Sequence, residues 1–107
     1  MKLKHVGLSA TLLIVCLTGT AAFAGDMAAG KSKSATCSSC HGGNGISSMD
    51  LWPNLAGQKA AYLAKQLRAF RDGTRNDAGM AGMAKALSDT DIEDLAAYYA
   101  SLPGSAN

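Results

Sequence analysis

The stretch "SATCSSCHGGNG", residues 34–45, contains Cys37 and Cys40, and His41 directly follows the second cysteine. A cysteine pair with this spacing can be a disulfide, half of a zinc site, a thioredoxin-like redox couple or the attachment site of a cofactor. These sites differ in the partner residues and in the fold that they require. The rest of the chain therefore decides among them.

The amino-terminal segment has the pattern of a secretory signal peptide. Lys2 and Lys4 precede the apolar block "LLIVCL", and the segment closes on the small-residue pattern Ala22-Phe23-Ala24. The apolar block is shorter than the roughly 18 residues that a membrane-spanning helix needs. We therefore expect residues 1–24 to be removed by cleavage after Ala24, and residues 25–107 to form a single domain in the periplasm.

Removal of this segment would change the cysteine, histidine and charge counts. Of the three cysteines, Cys37 and Cys40 would remain, and His41 would be the only histidine. Lys2 and Lys4 would also leave, so that basic and acidic residues would be formally balanced instead of giving the whole chain its net charge of +2. This balance gives no support to nucleic-acid binding.

The hydrophobic pattern predicts three helices and no strand. The first covers roughly residues 26–36 and runs into the cysteines. The second covers roughly residues 58–72, and the third begins after Ser88, whose pairing with Asp91 is typical of a helix start. Its buried stripe should consist of Ile92, Leu95, Ala96, Tyr99 and Leu102. Two glycine-bearing loops, residues 42–57 and 73–86, separate these helices. The fold class is therefore small and all-α, with long loops that must wrap around something.

The alternatives for the cysteine pair can now be narrowed. A structural zinc site needs four Cys or His ligands, and residues 25–107 contain three. A thioredoxin-like couple lies in a βαβ unit, for which no strand pattern is present. A disulfide across two residues would close too short a loop to stabilise the domain strongly. The remaining interpretation is the C-x-x-C-H sequence, in which Cys37 and Cys40 bind haem c covalently and His41 ligates its iron.

At these residues the chain resembles the class I c-type cytochromes, in particular their small bacterial periplasmic branch with one haem, and it is similar to one half of the dihaem periplasmic cytochromes c. The resemblance covers "CSSCH", "WPNLAGQ", "YLAKQLRAFRDGTRND", a methionine loop and "LSDTDIEDLAAYY". It implies three to four helices wrapped around one covalently attached haem. It also implies that the first and last helices cross, here at Gly30 and Tyr98.

The second iron ligand is expected to be a methionine, because no second histidine remains. Met27 and Met49 start near the side of His41, which leaves Met80 and Met83 on the later loop. Chemistry alone does not separate these two. The resemblance implies Met80, which lies eight residues before Ser88, with Met83 as a buried apolar neighbour.

Other residues receive roles from the resemblance and from the apolar pattern. The resemblance implies that the carbonyl of Pro53 accepts a hydrogen bond from the non-ligating nitrogen of His41 and so fixes its orientation. Apolar residues that we expect to line the haem pocket are Trp52, Leu55, Tyr62, Leu63, Leu67 and Phe70.

The expected function is single-electron transfer by the haem iron, not enzymatic catalysis. The alternatives are a small haem enzyme or gas sensor with a displaceable sixth ligand, and an obligate cytochrome subunit of a larger oxidoreductase. We expect a monomer that meets its redox partners transiently. These would be a reductase or cytochrome as donor and an oxidase or reductase as acceptor, with only peripheral contact to membrane complexes.

Basic residues concentrate in the middle of the chain. They are Lys59, Lys65, Arg68, Arg71, Arg75 and Lys85. This stretch ends in the loop with the proposed methionine ligand, so that positive charge could border the haem and steer an acidic partner. A solvated outer helix face would produce the same pattern, and the sequence leaves both interpretations open.

Overall fold

The computed structural model describes residues 1–4, 7, 10–16 and 25–105. In these residues five helices and no strand occur: α1 (Met27–Lys33), α2 (Ala35–His41), α3 (Ala60–Asp72), α4 (Ala78–Ala84) and α5 (Asp89–Ser101). The predicted all-α class is confirmed, although the helices outnumber the three or four expected. The proposed cleavage site after Ala24 lies outside the described residues. None of the helices found in the described ranges has the length and apolarity to cross a bilayer.

The first predicted helix is in fact two helices. Asp26 begins α1, since its Oδ1 accepts hydrogen bonds from the backbone N–H groups of Ala28 and Ala29 at 2.9 and 3.1 Å. The break lies at Ser34, whose hydroxyl donates to the carbonyl of Lys31 at 2.7 Å. A serine that bonds the backbone locally favours a helix end or a new start. The chain restarts there as α2, which carries both cysteines and ends at His41.

Helix α4 was also not predicted from the sequence. It lies in the second of the two expected glycine-bearing loops, residues 73–86. The carboxylate of Asp77 caps it by accepting a hydrogen bond from the backbone N–H of Met80 at 2.8 Å. Its sequence, "AGMAGMA", contains only alanine, methionine and glycine. Alanine and methionine are strong helix formers, and together with the cap they outweigh the two glycines.

The core forms where α5 packs against α1 and α3, while α4 packs on α3. Its buried residues are Leu63, Ala64, Ile92, Leu95, Ala96, Tyr98 and Tyr99. The expected crossing of the first and last helices is confirmed. A Cβ atom at Gly30 would lie 2.0 Å from the carbonyl oxygen of Asp94 and 2.7 Å from the Cβ of Tyr98, so only glycine allows the two backbones to approach this closely.

The start of α5 also agrees with the prediction. The Ser88 hydroxyl accepts from the N–H of Asp91 at 3.1 Å, and the Asp91 carboxylate accepts from the N–H of Ser88 at 3.0 Å. These two bonds satisfy backbone groups that the helix itself leaves unpaired. They fix the residue at which α5 begins, and with it the register of the apolar stripe that faces the cavity described next.

Candidate haem-binding site

A cavity of about 470 Å³ lies among the helices and contains every site residue that the sequence predicted. Its walls come from α2, the segment at residues 51–55, α3, α4 and α5. Cavities of this size are typical of small-molecule and cofactor sites. Around it the fold brings Pro53 and the distant Met80 together with Cys37, Cys40 and His41.

Helix α2 brings the two cysteines to the cavity. Cys37 and Cys40 are three residues apart, a spacing that places side chains on the same side of a helix. Both are half-buried and neither forms a disulfide. Cys37 also packs against the hydrophobic core. Two thiols on one helix face at the wall of a cavity can form two covalent bonds to a single group.

His41 is the last residue of α2, and its side chain is only 7% exposed. Its Nδ1 lies 2.8 Å from the carbonyl oxygen of Pro53. A carbonyl can only accept, so this hydrogen bond requires the tautomer with the proton on Nδ1. The other ring nitrogen, Nε2, then keeps its lone pair. An imidazole oriented in this way is typical of a histidine that ligates a metal.

The loop after α2 returns tightly, and this return places Pro53 beside His41. Gly42 ends the helix with a positive φ of 85°, and a Cβ there would lie 1.9 Å from the carbonyl oxygen of Ile46. The carbonyl of Gly45 then accepts hydrogen bonds from the N–H groups of Leu55 and Ala56 at 2.8 and 3.0 Å. Glycine is required at position 42 because residues with a side chain rarely adopt this backbone conformation.

Helix α4, which is far from α2 in the sequence, contributes two methionines to the cavity wall. Met80 is half-buried, whereas Met83 is 56% exposed. Met83 is therefore less covered by protein than Met80, and it lies at the cavity, so its role as an apolar neighbour of the ligand stays a prediction. Helix α4 packs mainly on α3. Both thioethers remain within the cavity wall.

The rest of the lining is mostly apolar. All six predicted lining residues are present: Trp52, Leu55, Tyr62, Leu63, Leu67 and Phe70. The sequence did not reveal that Arg75 and Tyr99 also line the cavity. Arg75 follows the end of α3 and stacks over the Phe70 ring, with its Cζ 4.5 Å from the ring centroid. Tyr99 was predicted as core, and its position in the stripe of α5 carried no signal for a second role.

The basic stretch beside the cavity is partly neutralised. Arg68 forms an ion pair with Glu93, and the Nη1 of Arg71 lies 2.8 Å from a carboxylate oxygen of Asp89. This pairing holds the pKa of Asp89 below its usual value. Of the two interpretations that the sequence left open, the exposed positive border therefore loses much of the contribution of Arg68 and Arg71. Their charges face the acidic start of α5, which the sequence alone did not place beside α3.

These residues fit a covalently attached haem. The cavity offers two unpaired thiols on one helix face, a histidine whose free nitrogen is Nε2, a thioether on another helix, and apolar walls. Tyr99 is a further lining residue, and its buried hydroxyl has no hydrogen-bond partner in the described residues. Apolar walls suit a porphyrin, and the nitrogen and sulfur atoms suit its iron.

Comparisons with known proteins agree with this site. The family model described as "Cytochrome c" matches residues 27–103. Cytochrome c4 of Pseudomonas aeruginosa is 49% identical over 90 residues, which are 84% of this chain and 45% of that protein. Cytochrome c-554(548) of Halomonas halodenitrificans is 52% identical over 81 residues, which are 73% of this chain and 98% of that protein.

A solved structure shows the same fold. Reduced recombinant cytochrome c4 from Pseudomonas stutzeri matches with a TM-score of 0.73 and 44% identity, over 77% of this chain and 48% of that chain. This chain therefore spans about half the length of the cytochrome c4 relatives, but nearly the whole of cytochrome c-554(548). The predicted family and fold are confirmed.

Proposed function

This chain belongs to the cytochrome c family, and from that premise we propose that it is a periplasmic one-electron carrier whose haem is attached at Cys37 and Cys40. Family membership makes it an electron-transfer protein with one covalently bound haem c. The attachment residues, the iron ligands, the compartment and the shuttling role form the proposal. The observation that carries it is the single cavity that collects two thiols, an oriented imidazole and a thioether.

In the proposed site, Cys37 and Cys40 would hold the haem from α2, and the Nε2 of His41 would ligate its iron. The Pro53 carbonyl keeps the proton of His41 on Nδ1, which leaves Nε2 unprotonated and prevents rotation of the ring. Burial of His41 excludes water that would compete for these bonds. When bound, haem c supplies an iron that gains or loses one electron without making or breaking other bonds.

Met80 is the proposed second axial ligand, and its burial separates it from Met83. A ligand thioether should be held by protein on the sides that do not face the iron, and Met80 is the more buried of the two. The Asp77 cap fixes the backbone of Met80 directly through its N–H. His/Met ligation favours a higher reduction potential than ligation by two histidines.

The apolar walls serve electron transfer in two ways. They keep water from the site, and a low dielectric disfavours the oxidised iron, which carries the greater charge. The proposed ligands also come from helices that are packed on other helices, α2 on α1 and α4 on α3, so they should move little between the two oxidation states. The residues do no acid–base chemistry in this scheme.

The proposed compartment and partners follow from other features. A segment with the pattern of a signal peptide precedes the domain, and this pattern supports export to the periplasm. The partners are redox proteins that donate or accept single electrons in transient contacts. The similarity to cytochrome c-554(548) over 98% of its length supports a domain of this size acting as a carrier.

Attachment can be tested by expressing the full chain in a host that matures c-type cytochromes. The variants are Cys37→Ala and Cys40→Ala, with Cys16→Ala as the matched control because Cys16 is exposed and outside the domain. The expected intact mass is residues 25–107 plus one haem for the wild type and the control, with haem lost or held by one bond in the other two. Normal haem retention after replacement of both Cys37 and Cys40 would refute the proposed attachment.

The carrier role is tested on the same protein by absorption spectra in both oxidation states, with and without carbon monoxide. A ferrous spectrum that carbon monoxide leaves unchanged is expected, because both axial positions are filled by protein. Rapid binding of carbon monoxide would instead support the haem enzyme or gas sensor.

A further inference from the structure

Tyr99 on α5 carries the only buried side-chain nitrogen or oxygen without a hydrogen-bond partner in the described residues. The residue is 4% exposed, and it lines the cavity. A buried hydroxyl without a partner is unfavourable, and native proteins pair nearly all such groups. This hydroxyl therefore calls for a partner that the mature protein provides.

The ring of Tyr99 cannot turn to find that partner in solvent. Its backbone carbonyl accepts a hydrogen bond from Gly57 at 3.0 Å. On one side the ring lies against Gly45, where a Cβ atom would be 3.1 Å from its Cδ1. The Tyr98 ring packs nearby, with the two centroids 5.1 Å apart. The ring is therefore held between Gly45 and Tyr98.

Cys37 and Tyr99 both line the cavity, and Ser34 is buried at the start of α2. Burial raises the pKa of Tyr99, and Cys37 raises it further, whereas Ser34 acts in the opposite direction. Cys37 packs against the core cluster to which Tyr99 belongs. Ser34 already uses its proton, which it donates to the carbonyl of Lys31 at 2.7 Å. Cys37 is therefore the neighbour whose hydrogen bonding changes most when the cofactor is attached.

We propose that the Tyr99 hydroxyl donates a hydrogen bond to the sulfur of Cys37 in the haem-bound protein, and that this contact makes Tyr99 a positioning residue that raises the reduction potential. The inference rests on the proposed attachment at Cys37. A thiol carries a proton of its own, so the hydroxyl and the thiol can each donate. A thioether sulfur has no proton and can only accept. Once the haem is attached, a hydrogen bond between the two groups can therefore only run from the Tyr99 hydroxyl to the Cys37 sulfur.

The direction of the effect on potential follows from electrostatics. The O–H dipole would point its positive end at a sulfur bonded to the porphyrin. Positive potential there favours the reduced state, which carries less positive charge on the iron. Hydrogen bonding around the cofactor is one of the means by which proteins set such potentials. Loss of the hydroxyl should therefore lower the potential.

The test compares Tyr99→Phe with the matched control Tyr98→Phe in the mature haem protein. Tyr98 is the adjacent buried tyrosine on α5, and its hydroxyl is not among the unpaired buried atoms. Three quantities are measured: the midpoint potential, the carbon–sulfur stretching band in resonance Raman spectra, and the melting temperature. For Tyr99→Phe we expect a lower potential, a shifted band and a fall in melting temperature of about 4–8 °C, since one net hydrogen bond is lost. The control should leave the band and the potential unchanged.

The measurements distinguish a missing Tyr99–Cys37 hydrogen bond from a missing haem bond at Cys37. A higher melting temperature in Tyr99→Phe, with the band unmoved, would show that the hydroxyl stays unpaired and would overturn the inference. A lower melting temperature with the band and the potential unmoved would assign the hydrogen bond to Ser34 and also overturn it. Intact mass of the wild type is read separately, because absence of a haem bond at Cys37 would refute the proposed attachment itself.

Discussion

The ammonium nitrogen of Lys33 lies 2.6 Å from a carboxylate oxygen of Asp94, and this contact joins α1 to α5. The same nitrogen lies 2.8 Å from a carboxylate oxygen of Asp91. Asp94 also accepts a hydrogen bond from the backbone N–H of Asp26 at 2.8 Å. The acidic start of α5 thus has two faces, because Asp89 and Glu93 pair with α3 while Asp91 and Asp94 hold α1. The contacts of Asp91 and Asp94 hold α1 against α5, and α5 forms part of the cavity wall.

This arrangement predicts how stability depends on pH. Hydrogen bonds from Lys33, and secondarily from Ser88, lower the pKa of Asp91 from 3.8 to about 2, and Lys33 also lowers the pKa of Asp94. Carboxyls with a depressed pKa in the folded state contribute stability above their unfolded pKa and lose it as pH falls through the folded pKa. The contribution should be complete above about pH 5, fall steadily as the pH drops towards 2, and be gone only near pH 1.

Lys33→Met tests this prediction, with Lys31→Met as the control because Lys31 is an exposed lysine of the same helix. Denaturant midpoints of the haem protein are measured by circular dichroism between pH 2 and 7. Lys33→Met should be less stable than wild type above about pH 5, and the difference should shrink steadily as the pH falls to 2. Comparison with wild type cancels the acid sensitivity of the iron ligands. A difference that does not change with pH would mean that Lys33 stabilises the protein by packing alone.

The helix crossing gives a second prediction. Gly30→Ala should destabilise the protein by about 1–3 kcal/mol, because its Cβ would overlap the Asp94 carbonyl and force the two helices apart. The control is Gly82→Ala, a glycine inside α4 with no atom within 4 Å of the added Cβ. It should be neutral or stabilising by up to about 1 kcal/mol through helix propensity. Equal effects in thermal unfolding would argue against a close crossing at Gly30.

The axial ligand gives a third prediction. Met80→Ala should remove the weak far-red thioether-to-iron absorption of the ferric protein, allow carbon monoxide to bind the ferrous iron and lower the reduction potential. Met83→Ala is the matched control, one helical turn away in the same helix. It should retain all three properties. The reverse result would assign the ligand to Met83, and loss in neither variant would favour the enzyme or sensor alternative.

Much of the site could be predicted because its residues are marked by local spacing. The pattern at Cys37, Cys40 and His41 needs only five consecutive residues, and the lining residues follow from helical periodicity. Features that depend on a single side-chain hydrogen bond were missed. The break between α1 and α2 lies at such a bond of Ser34, and the start of α4 at such a bond of Asp77.

The sequence also did not predict how far protein atoms cover each side chain at the cavity. A methionine has the same sequence signal whether protein covers it or not, so the exposure of Met83 could not be foreseen. In the same way, the buried position of Tyr99 in its helix does not show that its hydroxyl is unpaired. Charge pairing between α3 and α5 needs the packing angle of two helices that are separated in the chain, and the sequence does not contain that angle in any local pattern.

Pairing of Arg68 and Arg71 with α5 changes the prediction for partner docking. Within the described residues, the basic side chains of the middle stretch that form no ion pair at this site include Lys59, Lys65 and Lys85, and all three are exposed. If positive charge steers an acidic redox protein, these lysines should carry the effect. Reversal of Arg68 to glutamate would instead place it against Glu93 and Asp89, and should lower stability.

The prediction concerns the rate of electron transfer between the haem protein and an acidic redox protein, measured by stopped flow at increasing salt. Attraction between exposed charges is screened beyond roughly 10 Å at 0.1 M ionic strength, and it acts more on association rate than on affinity. The wild-type rate should therefore fall as salt rises. Lys65→Glu should flatten this dependence and leave the potential almost unchanged, whereas Lys31→Glu, with the same charge change on α1, should not. A wild-type rate that stays flat or rises with salt would mean that apolar contacts guide docking, with the lysines serving only solubility.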